Sequence, residues 1–301
     1  MSENKVGPDG AVLLQKALEK NTYLTYLDLS MNEIGSSGGE CIAEVLAIPT
    51  SLLSTLLLYG NYLGSSGVSF ICDAMRGNRE LKRLHLGNNN ATDESCQKIG
   101  EMLKSNKSLE MLDLRLNNIS VGGMKEICKG LEQNQTLREI ILSGNPLGPI
   151  GADELSKCLC KHQRSALTTV DLSSCNLGTT GGARIAVLLR SSNSIRELNL
   201  SDNSLDDESA IALASGMKFS VSLTTADLSC NDIGEEGASH LVEAINENIN
   251  ILSVTIHGNK VHRIVQNKLE NLIEERLSAN RTESTKRLTD LKKKMARTAD
   301  S

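Results

Sequence analysis

The sequence predicts an α/β solenoid in which one strand and one helix recur about every 28 residues. Three observations point there: a single residue pattern repeats nine times, apolar spacing inside each copy changes from period two to helical, and aromatic residues make up only 2% of the chain. With two Phe, four Tyr and no Trp, the core must be filled by Leu, Ile, Val, Ala and Met, which suits thin repeated layers better than one large globule. The 301 residues equal about two average domains, and 39% hydrophobic with 23% charged residues is a globular balance that excludes wholesale disorder.

The first full register is Leu24, Leu27, Leu29, Asn32 and Ile34, and the same spacing returns at Leu81, Leu84, Leu86, Asn89 and Ala91. The register residue Asn32 is followed by Asn61, Asn89, Asn117, Asn145, Cys175, Asn203, Asn231 and Asn259, in steps of 29, 28, 28, 28, 30, 28, 28 and 28. Alternating leucines predict a short strand in each copy, such as Tyr26 to Ser30. The asparagine amide both donates and accepts, so a stack of them satisfies the backbone groups turned inward at each bend. Cys175 replaces Asn in the sixth copy. Glycines then open a helical half (Gly35, Gly64, Gly148, Gly178, Gly234), where they suit unusual backbone angles. The helices carry apolar spacing such as Ile42, Ala43, Leu46 and Ala238, Leu241, Ala244, Ile245.

The pattern L-x-x-L-x-L-x-x-N-x-L from Asn4 to Val261 resembles the ribonuclease-inhibitor-like leucine-rich-repeat family. That family includes ribonuclease inhibitor, the Ran GTPase-activating protein, the sensor arms of nucleotide-binding immune receptors, tropomodulin-type actin cappers and several ciliary proteins. The resemblance implies a right-handed horseshoe with a concave parallel β-sheet and convex α-helices. It implies little about biochemistry, which belongs to the exposed positions.

The domain organisation expected is a solenoid over residues 1–260, a capping helix over 261–278 and a basic tail over 279–301. The solenoid comprises a partial first repeat and nine full ones. In the partial repeat Asn4 and Val6 precede Asn32 and Ile34 by 28 residues, but no strand is encoded. The strand at Tyr26 is therefore expected to be an open sheet edge, a feature that is usually covered. Self-association, capping by a different chain, fraying, and truncation of a longer protein all remain open there. At the other end Ile264, Val265, Leu269, Leu272, Ile273 and Leu277 recur at helical spacing. Beyond them Leu288, Leu291 and Met295 suggest a second short helix among Lys286, Arg287, Lys292, Lys293 and Lys294. Residues 278–301 hold seven Lys/Arg against three Asp/Glu, while the whole chain is at -5. Such a tail suits an acidic protein surface such as a tubulin lattice, or simply solvent. The lack of stacking aromatics speaks against nucleic acid.

No catalytic, cofactor-binding or metal-ligating set is found. Phosphate-loop, dinucleotide, HExxH and GxSxG patterns are missing, and His85, His162, His240, His257 and His262 lack ligand spacing. His240 is expected on a convex helix and His162 in a loop. The eight cysteines read as reduced. Cys41, Cys72, Cys96, Cys128 and Cys158 recur in helical stretches as small hydrophobes, and Cys158-Leu-Cys160 lacks the CxxC spacing. No run is apolar enough to span a bilayer, and the start, Met1 to Gly10, lacks the pattern of a signal peptide. A cytoplasmic protein without membrane contact is expected.

The strand side chains that face outward carry the functional expectation. Repeats six to eight place Ser, Thr, Asp and Asn there, the consensus of a solvated sheet. Repeats one to five place Tyr26, Leu57, Tyr59, Met111 and Ile141 beside Arg83, His85 and Arg115, the residue types of binding hot spots. The alternative is that Leu57 and Ile141 are isolated surface hydrophobes. The leading expectation is a non-enzymatic protein-protein interaction scaffold, by family analogy cytoskeletal or ciliary. A GTPase activator resembling the Ran-activating protein fits repeat type and size, but the acidic tail usual there is basic here. Ribonuclease inhibition fits less, because that inhibitor is far richer in Cys and Trp.

Overall fold

The structure is a computed structural model that describes residues 1–161, 164–276 and 278. His162 and the tail residues Lys286, Arg287, Lys292, Lys293 and Lys294, with the second short helix, lie outside the described residues.

Strands and helices alternate throughout: α1 (Gly7–Leu18), β1 (Tyr26–Asp28), α2 (Gly35–Leu46), β2 (Thr55–Leu57), α3 (Gly64–Met75), β3 (Arg83–His85), α4 (Asp93–Ser105), β4 (Met111–Asp113), α5 (Val121–Leu131) and β5 (Glu139–Ile141). They continue as α6 (Gly148–Lys161), β6 (Thr169–Asp171), α7 (Gly178–Ser191), β7 (Glu197–Asn199), α8 (Asp207–Phe219), β8 (Thr225–Asp227), α9 (Glu235–Glu247) and β9 (Ser253–Thr255). Residues 263–276 form a further helix. The nine strands make one parallel sheet in chain order, each three residues long where five had been expected at Tyr26 to Ser30. Parallel neighbours joined through a helix cross over right-handedly in nearly all proteins. Register is strict: Tyr26 faces Thr55, then Arg83, Met111, Glu139, Thr169, Glu197, Thr225 and Ser253.

The repeated leucines form the core. Leu29, Leu56, Leu58, Leu84, Leu86, Leu112, Leu114 and Leu200 are all fully buried, and Cys72, Cys96, Cys128 and Cys158 pack among the helices as free thiols. Most helices begin without a side-chain cap. α2, α3, α6 and α7 start on Gly35, Gly64, Gly148 and Gly178 at φ of 58° to 67°, a left-handed turn that glycine adopts without strain. Gly234 departs from that expectation, with an ordinary φ of -99°. α4, α5 and α8 are capped instead by Thr92, Ser120 and Asp206. Between α4 and α5, Gly100 and Gly130 allow close backbone approach: a Cβ at Gly100 would stand 2.3 Å from the Glu126 carbonyl oxygen.

The asparagine stack is present. Asn61 Oδ1 accepts from the Asn32 amide at 3.0 Å, Asn89 from Asn61 at 2.9 Å and Asn117 from Asn89 at 3.0 Å. Each Nδ2 donates back to strand carbonyls, as Asn117 does to Leu86 and Leu114. Cys175 interrupts the run. In other repeats the amide two residues after the Asn reaches the next Oδ1, as Ile119 does to Asn145 at 3.1 Å. Leu147, whose next neighbour in the stack is Cys175, turns its amide to the Asn145 carbonyl at 2.8 Å instead.

A second polar stack, which the sequence reading overlooked, closes the helix ends. Asn106 Nδ2 donates to the carbonyls of Met75 at 2.6 Å and Asn78 at 3.0 Å, and its Oδ1 accepts from the Ser108 and Leu109 amides. Asn78, Asn134 and Asn248 repeat the arrangement. Arg276 ends it: lying 28 residues after Asn248, it donates to the carbonyls of Asn248 at 2.8 Å, Ile251, Asn246 and Ile245. Those carbonyls have no further repeat to pair with, so a guanidinium satisfies them. Among the described residues no buried side-chain nitrogen or oxygen lacks a partner.

Candidate interaction surface

β3 to β5 hold the charged centre of the concave face. Asp113, 2% exposed, sits between His85 on the neighbouring strand β3 and Arg115 two residues further along its own repeat. His85 Nδ1 lies 3.2 Å from its Oδ2, and Arg115 Nε donates to Oδ1 at 3.0 Å and Oδ2 at 2.9 Å. Burial pushes the Asp113 carboxyl up, but the hydrogen bonds from His85 and Arg115 and the Arg115 charge outweigh it and hold it below the ordinary carboxylate value. Burial likewise pulls the Arg115 guanidinium down, and the Asp113 hydrogen bond with the charges of Asp113 and Asp171 raises it above its ordinary value. Arg83 Nη2 reaches Glu139 Oε2 at 3.6 Å.

These polar side chains change the reading of the apolar ones. Met111 is 2% and Ile141 7% exposed, so neither belongs to an exposed contact patch as expected from the sequence. Met111 lies on the strand between Arg83 and Glu139, whose ion pair spans it. Ile141 lies in register between Asp113 and Asp171, the two carboxylates whose fields reach Arg115. Tyr26 is exposed, Leu57 and Tyr59 are half-buried, Arg83 is exposed, and His85 and Arg115 are half-buried. The accessible part of the expected set therefore clusters on β1 to β3 and at Arg115.

The leading end carries more apolar surface than strand positions alone revealed. Tyr23, Tyr62 and Leu13 are strongly exposed, with Met31, Leu52 and Phe70 partly so. They lie in loops or on α1 and α3, where strand alternation gives no guide to exposure. On the trailing strands a shallow groove of about 250 Å³ across β5 to β8 is lined by Glu139, Asp171, Glu197 and Asp227 together with Ile141, Thr169, Asn199 and Thr225. Asp171 and Asp227 each commit Oδ1 to the serine two residues on, Ser173 and Ser229.

Among the described residues no three His, Cys, Asp or Glu gather as metal ligands, and no helix is long and apolar enough to cross a membrane. His240 stands on α9, half-exposed and 3.7 Å from Glu243.

Comparison with known proteins agrees with the repeat. The model of the TMOD/LMOD leucine-rich domain matches residues 64–146, and that of a leucine-rich repeat matches residues 20–43, 165–186, 191–214 and 220–242. The mouse "NACHT, LRR and PYD domains-containing protein 9C" is 36% identical over 29% of this chain and 9% of its own length. Mouse ribonuclease inhibitor is 32% identical over 26% of this chain and 17% of its own length. The solved C-terminal domain of tropomodulin from Caenorhabditis elegans superposes with a TM-score of 0.44 at 14% identity, over 63% of this chain and 98% of that one. The match thus spans less than a tenth of the length of that NACHT-containing relative. Period, asparagine stack, parallel sheet and matching repeat models agree: the chain is a leucine-rich-repeat protein.

Proposed function

We propose that this chain is a non-enzymatic protein-interaction scaffold of the actin cytoskeleton. It engages its partner through the leading half of the concave sheet and the open edge of β1. The observation that carries this reading is the surface formed by Tyr26, Leu57 and Tyr59 beside Arg83, on strands held in fixed register by eight parallel pairings. A rigid sheet loses little entropy on docking, so apolar and aromatic side chains presented on it convert contact into affinity efficiently. Strand β1 pairs with β2 on one side. Its other side is the sheet's edge, touched at Ser30 by the Glu3 amide, and offers main-chain groups for strand addition. The cytoskeletal assignment is supported by the match of the TMOD/LMOD leucine-rich domain, which covers β3 to β5 and so includes Arg83, His85 and Arg115. The carboxylates along β5 to β8 favour a partner whose far side is basic.

Co-sedimentation with filamentous actin and pull-down of monomeric actin test this reading. Binding by the full chain and its loss in a Leu57→Asp/Tyr59→Asp variant with unchanged circular dichroism are expected. Equal binding by that variant removes the patch from the account, and no binding by the parent chain to either form removes actin.

A further inference from the structure

Nine residues after each register asparagine, counting Asn4 of the partial repeat and Cys175 of the sixth, every helix leaves one side chain exposed or half-buried. On α4 to α7 that side chain is Lys98, Glu126, Glu154 and Arg184. Later repeats place Ala212, His240 and Lys268 there. Ion pairs tie the row to neighbouring turns, as Lys98 to Asp73 at 3.1 Å and Arg184 to Asp153 at 3.4 Å. The three leading helices break this rule. Leu13 on α1 is 67% exposed, Cys41 on α2 is half-buried and Phe70 on α3 is 39% exposed. Packed helices stand about 8–10 Å apart, so the three residues make an apolar ridge about 16–20 Å long across the convex face. Confined to adjacent layers, it is a contiguous patch and not a scatter of single surface hydrophobes.

The ridge is flanked by acid. α2 and α3 carry Glu40, Glu44 and Asp73 and neither Lys nor Arg. Asp73 is met by Arg76 and Lys98. Glu44 accepts a hydrogen bond from Gln15 Nε2, and among the described residues no cation pairs with Glu40 or Glu44. Burial and the charges of Glu44 and Glu40 together raise the Cys41 thiol above its ordinary value, which places both carboxylates beside the centre of the ridge. α1 contributes Asp9 and Lys16, which cancel.

We propose that the ridge formed by Leu13, Cys41 and Phe70 is a second docking surface, for an amphipathic helix of a protein partner whose apolar stripe is flanked by Lys or Arg. The stripe covers Leu13 and Phe70, and the cations face Glu40 and Glu44. A helix of about 12–14 residues matches the ridge in length. The surface lies on the helices and not on the strands, so this inference does not rest on the actin reading.

The probe is a fluorescent peptide of about 14 residues, built from Leu and Lys in amphipathic helical order, with a Leu/Glu peptide of the same pattern as control. Anisotropy with the full chain is expected to show saturable binding of the Leu/Lys peptide, about tenfold or more tighter than of the control. A similar loss is expected in Leu13→Ser/Phe70→Ser and, separately, in Glu40→Lys/Glu44→Lys. All four positions are exposed, so circular dichroism is expected to stay unchanged. Amide hydrogen exchange is expected to slow over α1 to α3 when the peptide is bound. No saturable binding below about 100 μM overturns the proposal. So does affinity unchanged in both double variants, or protection that falls on β5 to β8 instead. A parent chain that sediments as a dimer, with Leu13→Ser/Phe70→Ser monomeric, also overturns it and gives the ridge to a second copy.

Discussion

Arg83 and Glu139 meet at 3.6 Å across the concave face, on the strands that flank Met111. The ion pair roofs a methionine that alternation alone directs outward, and so converts a surface position into a buried one. Met111→Ala is therefore expected to behave as a core truncation, lowering stability by about 2–4 kcal/mol. Arg83→Ala, which removes half of an exposed pair, is expected to cost less than about 1 kcal/mol. Urea unfolding of both variants checks this, and near-equal small losses would return Met111 to the surface.

The break in the asparagine stack predicts opposite signs at two positions. Asn117→Ala leaves the Asn89 and Ala91 amides without their acceptor and is expected to cost at least about 2 kcal/mol. Cys175→Asn gives the Asn145 and Leu147 amides the side-chain oxygen that other repeats supply, in place of the sulfur and of the Asn145 carbonyl, and is expected to add about 0.5–1.5 kcal/mol. Thermal melts at matched protein concentration decide it. A Cys175→Asn variant melting below the parent would show that the sulfur is the better fit.

Asp113 has a pH signature. Its carboxyl is held below the ordinary value of 3.8 in the folded protein. The charged form is thus favoured by folding, and its contribution is complete above the unfolded value and disappears as pH falls through the folded one. Stability of the parent chain is expected to fall more steeply than that of Asp113→Asn below about pH 4. Chemical denaturation at a series of acid pH values measures the two slopes. Parallel slopes would mean that His85 and Arg115 do not stabilise the charge.

The cysteines separate by environment. Cys230 is exposed, while burial pushes Cys72 far up and both Cys96 and Cys175 to about 12. At pH 7.5 a thiol reagent is expected to label Cys230 first, with that fast phase lost in Cys230→Ser. Cys72, Cys96 and Cys175 should react only on unfolding, because the thiolate is the reactive form. Fast labelling of Cys96 in the folded protein would contradict the packing of α4.

Period, strand and helix order, and the inward leucines were all legible from residues alone. Each repeat buries the same positions against copies of itself, so local pattern and tertiary contact are one signal. The second polar stack was equally readable, since Asn78, Asn106, Asn134 and Asn248 each stand three residues before a core Leu or Ile. It is broken up in the chain because Ser192 and Ser220 hold the position in two turns, while Ser51 and Ser165 serve from one residue later in two others. Arg276 was hidden for a related reason: it fills a register position with a different residue type.

What the sequence determined by itself was which way each side chain points. Strand alternation sets direction, and a 28-residue period leaves no other register that buries the leucines. Only the tertiary structure decided what remains accessible there. Residues far apart in sequence lie about 4.8 Å apart across each strand pair, where long charged side chains such as Arg83 and Glu139 reach over shorter ones. Coverage of Met111 depends on that reach, and no periodicity in the chain encodes it.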